Sequence, residues 1–122
     1  MDKTTINGNL ELKKDMFFEG DLFVEGDIIA NGYNIKAHDI KSYNIIAHDI
    51  TANIIVAHDI IAHDIIAYEI NSYDIIANSI IANSIKYYAV CIAYISINCN
   101  FIEGFRNNNI KFILDYSVNL IK

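Results

Sequence analysis

The chain has 122 residues, 53% of them apolar, with five glycines, no proline and no tryptophan, and a formal charge of −6. That apolar content suits one domain with a real core and excludes a disordered chain. The acidic balance disfavours phosphate binding along the body and favours a basic protein partner, with no direct nucleic-acid contact.

Met1 to Lys14 is polar and charged, without a secretory pattern, and the longest apolar run, Tyr87 to Ile97, falls short of the roughly 20 residues that span a bilayer. Cys91 and Cys99 are expected as reduced core thiols, so the cytoplasm is the expected compartment and no membrane partner is expected.

The opening segment, 8–34, repeats in steps of six: Asn9-Leu10, Asp15-Met16, Asp21-Leu22 and Asp27-Ile28, with Gly8, Gly20, Gly26 and Gly32 at or near the corners. Each unit carries one more corner residue than the units that follow, and glycine can supply an unusual φ there.

From 35 to 90 the step is five. Ile35, Ile40, Ile45, Ile50, Ile55, Ile60, Ile65, Ile70, Ile75, Ile80, Ile85 and Val90 form one column, and a small residue follows two positions later at Ala37, Ser42, Ala47, Ala52, Ala57, Ala62, Ala67, Ser72, Ala77 and Ala82. On a helix a step of five moves each isoleucine about 140° around the axis, which leaves no apolar face. On an unbroken strand an odd step throws alternate isoleucines onto opposite faces. The chain therefore turns a corner in every repeat: a three-residue strand with Ile and the small residue inward, then a two-residue corner. Stacked corners make a β-solenoid whose coils pair edge to edge about 4.8 Å apart.

The outward position between Ile and Ala holds Ile46, Val56, Ile61, Ile66, Ile76 and Ile81. In a four-sided coil residues twenty apart stack, giving Val56 over Ile76, Ile61 over Ile81 and Ile46 over Ile66; in a three-sided coil Ile46, Ile61 and Ile76 form one stripe. Either arrangement leaves apolar side chains outside the tube, where they face a homodimer or partner contact or lie under the terminal segments. The last segment, 91–122, has two apolar runs around Arg106-Asn107-Asn108-Asn109, which predicts a β-hairpin-like cap over the final coil.

The stretches Ala47-His48-Asp49-Ile50-Thr51, Ala57-His58-Asp59-Ile60-Ile61 and Ala62-His63-Asp64-Ile65-Ile66 resemble the pentapeptide-repeat proteins. The resemblance implies a right-handed, four-sided β-helix. It also implies an acidic decoy of duplex DNA, carried by Asp39, Asp49, Asp59, Asp64, Glu69 and Asp74, that occupies a nucleic-acid-binding enzyme. The six-residue opening is similar to bactofilin-type solenoids, which polymerise end to end.

His38, His48, His58 and His63 share one corner position, each followed by Asp. A stack of two supplies too few convergent ligands for a stable metal site, and Tyr43, Asn53, Tyr68 and Tyr73 fill the same position, so neither metal nor cofactor is expected. No nucleophile–base constellation or phosphate loop stands out, so catalysis is not expected. The expected fold is an all-β solenoid of five-residue repeats. The expected function is non-catalytic: an acidic surface engaging a basic partner, of the kind a phage or mobile-element inhibitor of host defence (an anti-CRISPR protein, for example) would use. The alternative is a self-associating structural solenoid.

Overall fold

The computed structural model describes residues 3–107 and, as backbone, the strands Ile110–Ile113 and Ser117–Leu120. Among the described residues every strand pairing is parallel, and the coils stack into a β-solenoid of about six turns. Among the described residues no helix is long and apolar enough to cross a membrane.

The register fixes the number of sides. Ile35 lies beside Ile50, and Ile40 beside Ile55, each a step of fifteen residues. With five residues per side the coil has three sides, and the expected four-sided stacking at a step of twenty is corrected. The physical reason lies in the interior. In the five-residue coils three isoleucines, such as Ile40, Ile45 and Ile50, each at most 1% exposed, fill the interior at close packing.

The three sides stack as separate columns. On the first, Lys3–Ile6, Asp21–Val24 and Asp39–Lys41 lead to residues 54–56. On the second, Leu10–Glu11 and Ile28–Ala30 lead to residues 45–47. On the third, Met16–Phe17 and Ile35–Lys36 lead to residues 50–51. The corners are so tight that strand geometry continues unbroken from Asn44 to Ile81. Ala37, Ala47, Ala57, Ala67 and Ala77 are buried as the repeat predicts, while Ala52 and Ala62 are half-buried.

The opening coils are wider. Lys3 pairs with Asp21, and Leu22 with Ile40, steps of eighteen, or three units of six. Gly8 and Gly32 take φ of 88° and 80°, which glycine adopts without strain. Gly26 serves differently: its N–H donates to the Gly8 carbonyl at 2.8 Å, and an added Cβ would overlap Asn9 Oδ1 and sit 2.9 Å from Gly8 O. Gly26→Ala is expected to destabilise the first coils by about 1–3 kcal/mol and leave the later ones intact. Amide hydrogen exchange, resolved by residue, checks this; uniform loss of protection along the rod is the contrary result.

The predicted hairpin cap is also corrected. Phe101–Gly104, Ile110–Ile113 and Ser117–Leu120 each pair parallel with part of Ser84–Cys99. A hairpin needs antiparallel neighbours. Here the edge left by each side of the preceding coil takes up the next segment in the same direction, so the tail winds one more turn. Asn108 and Asn109 of the expected turn lie outside the described residues.

Candidate interaction surfaces

A three-sided coil sorts the outward residues. Ile29, Ile46, Ile61, Ile76 and Ile92 follow one another up the second side, from Ile29 beside Ile46 to Ile76 beside Ile92. Ile66 and Ile81 fall on the third side, while Val56 lies on the first between Lys41 and Asn71. The six outward residues named from sequence therefore divide three, two and one. Ile46, Ile61, Ile66, Ile81 and Val56 are exposed and Ile76 is half-buried.

The corner leading into the second side adds a feature that the sequence reading missed. The His58 ring lies between Tyr43 and Tyr73, with centroids 4.7 and 4.6 Å away, and Tyr73 continues to Tyr88 at 5.2 Å. This row runs beside the isoleucine stripe, so the second side presents aliphatic side chains edged by aromatic ones. The signal was available: Tyr43, His58, Tyr73 and Tyr88 are fifteen apart in sequence.

The acidic corners have a role that composition hides. The Asp21 carboxylate accepts the N–H of Asp39 at 3.2 Å, Asp27 that of Asn44 at 3.1 Å, and Asp15 that of Asn34 at 2.8 Å. Asn34 Oδ1 likewise accepts the N–H of Asp49 at 3.2 Å. In the opening coils an Asp or Asn at a corner thus satisfies a backbone donor one coil later, whereas Asp49, Asp59 and Asp74 in the five-residue repeats each keep a buried Oδ1 without such a bond. Asp39 and Glu69 stand at the corner before the first side, Asp59 and Asp74 before the second, Asp49 and Asp64 before the third. All six are half-buried, and they lie along three edges rather than on one ladder.

No family model, curated protein or solved structure matches the chain.

Histidine partners follow the same geometry. Nδ1 of His48 is 3.1 Å from Asp49 Oδ1, that of His58 is 3.1 Å from Asp59 Oδ1, and that of His63 is 3.4 Å from Asp64 Oδ1. His38 reaches both Asp21 at 3.0 Å and Asp39 at 3.3 Å. The His48 and His63 rings, fifteen residues apart, lie 4.7 Å apart and 6° from parallel; His38 and His58, twenty apart, stand at different corners of the three-sided coil and do not meet. The histidine pair does not stand alone, since Asp49 Oδ1 also lies 3.9 Å from His63 Nδ1.

Cys91 sits beside Ile75 in the inward column of the second side, and Cys99 is buried as well. Burial, with Cys91 second, pushes the Tyr87 phenol above its ordinary value. Tyr87 faces inward and lines a shallow groove on the first side with Val56, Asn71, Lys86, Tyr88 and Phe105.

Proposed function

We propose that the protein is a non-catalytic scaffold, a rigid solenoid that associates with a second copy of itself through its second side. The observation that carries this is the uninterrupted stripe Ile29, Ile46, Ile61, Ile76 and Ile92 alongside the ring row Tyr43, His58, Tyr73 and Tyr88. Aromatic and aliphatic side chains in one flat patch are the composition of interface cores. A second copy is the natural occupant, because both faces carry the same spacing between coils and interdigitate in register.

A second reading keeps the acidic edges as the contact for a basic partner, such as a nucleic-acid-binding enzyme; the charge of −6 supports it. The two readings differ in sign with salt. Two copies of an acidic rod repel one another and hold by apolar contact, so their association strengthens as salt rises; an acidic decoy loses its partner as salt rises. Sedimentation of the full chain at low and high salt is expected to give a dimer favoured at high salt. Ile61→Lys with Ile76→Lys is expected to leave a folded monomer, whereas Asp59→Lys with Asp74→Lys still dimerises. A wild-type monomer at every salt and concentration overturns the self-association reading. Capture of a basic enzyme that the aspartate variant loses supports the decoy.

Two finer readings belong to the same proposal. A relation to right-handed pentapeptide-repeat solenoids is supported by sides of five residues with a buried Ile and a buried small residue. Cytoplasmic residence is supported by two cysteines placed inside the rod rather than on its surface.

A further inference from the structure

At the corner between the second and third sides, three groups with metal-binding atoms come together from two coils. His48 and Asp49 belong to one coil and His63 to the next. One ring nitrogen of each histidine and a carboxylate oxygen of Asp49 all lie within 4.8 Å of one another. Asp49 Oδ1 is 3.1 Å from His48 Nδ1 and 3.9 Å from His63 Nδ1. A tetrahedral Zn²⁺ with bonds of about 2.0–2.1 Å sets its ligand atoms roughly 3.3 Å apart. These two separations bracket that value, and a modest rotation of the two exposed rings closes the remaining gap.

A second observation points the same way. Asp49 Oδ1 is shut off from solvent and takes no backbone donor; the groups that face it are the two histidine ring nitrogens. A carboxylate oxygen in that state is costly unless a charge or donor meets it. Asn34 Oδ1, 3.2 Å from His48 Nδ1, supplies a further oxygen beside the cluster. The rival cluster of Asp21, His38 and Asp39 lacks this feature. There Asp21 Oδ1 already meets His38 Nδ1 at 3.0 Å and accepts the Asp39 N–H at 3.2 Å.

We propose that His48, Asp49 and His63 bind one divalent first-row transition cation, with water completing the shell. Two imidazoles and one carboxylate select a borderline cation such as Zn²⁺, Cu²⁺ or Ni²⁺ over Mg²⁺ or Ca²⁺, which take oxygen ligands. Bound there, the cation ties two successive coils together and neutralises the carboxylate. The sequence alone offered only a pair of stacked histidines; the third ligand emerges from the coil register.

The test uses the full chain without a histidine tag. Calorimetric titration with Zn²⁺ is expected to give one cation per chain, and Co²⁺ is expected to show the strong visible bands of a tetrahedral nitrogen–oxygen site. His63→Tyr is the informative variant, because Tyr73 fills the equivalent corner and the fold accepts it there. His63→Tyr and Asp49→Asn are each expected to weaken Zn²⁺ about tenfold or more and remove the Co²⁺ bands, as loss of a ligand does. His58→Tyr, at a corner where the stacked neighbours Tyr43 and Tyr73 supply no second imidazole, is expected to change neither. Circular dichroism confirms that each variant is folded. Equal Zn²⁺ affinity in wild type and His63→Tyr, or no saturable binding by the wild type, overturns the proposal.

Discussion

Ile60→Ala is expected to lower the free energy of unfolding by about 2–5 kcal/mol, while Ile61→Ala, one residue along, costs less than about 1 kcal/mol. Ile60 is 0% exposed and Ile61 is 46% exposed. The first lies on the axis of the rod, in the inward column that carries Ile45 and Ile75; truncation leaves a void that three backbone walls cannot close. The second loses only the part of its side chain that rests on neighbouring outward residues. Ile60→Val, which removes one methylene, is expected to cost about 0.5–1.5 kcal/mol, and Ile60→Asp to prevent folding of the central coils. Because a stack of coils can open from its ends, the comparison belongs in hydrogen exchange of central amides as well as in urea titration. Similar costs at 60 and 61 would mean that the inward and outward assignments are wrong.

The contrast between these two neighbours was legible in the sequence, and the number of sides was not. Isoleucine at every fifth position with a small residue two later demands a corner per repeat, because neither a helix nor a flat strand keeps such a column on one face. That pattern is the same whether three or four sides complete a coil. Only pairs across coils distinguish them, and the informative pairs are the corner rings Tyr43, His58, Tyr73 and Tyr88, whose shared step of fifteen carries the answer. The acids were harder to read. Asp21 and Asp27 look like solubilising charges in the sequence, yet each accepts a backbone N–H one coil later, a role that exists only once the register is known. The tail misled for a related reason. Two apolar runs around Arg106-Asn107 have the composition of a hairpin, while direction is set by the open parallel edge onto which they fold.

Coil length supplies the last expectation: the solenoid tolerates an added residue at a corner and does not tolerate a missing one within a side. Inserting glycine between Ala62 and His63 is expected to cost about 1 kcal/mol, and deleting Ile61 about 4 kcal/mol or more. The chain already contains such insertions. Ile28 pairs with Ile45, a step of seventeen, Ile75 with Cys91, a step of sixteen, and Ile80 with Ile97, again seventeen. The register shifts fall between Ser72 and Asp74 and between Ala77 and Ser79, which are corners. There an extra residue points into solvent and the strands on either side keep their partners. Among the described pairings none is shorter than fifteen. The limit has a steric origin, since a side must place Ile inward, one residue outward and Ala inward before the corner begins. Without Ile61, Ala62 turns outward and His63 is drawn toward the apolar axis, where its ring nitrogens lack partners. Thermal unfolding of the two variants beside wild type decides the matter: equal losses would show that coil length is set by something other than the inward pair on each side.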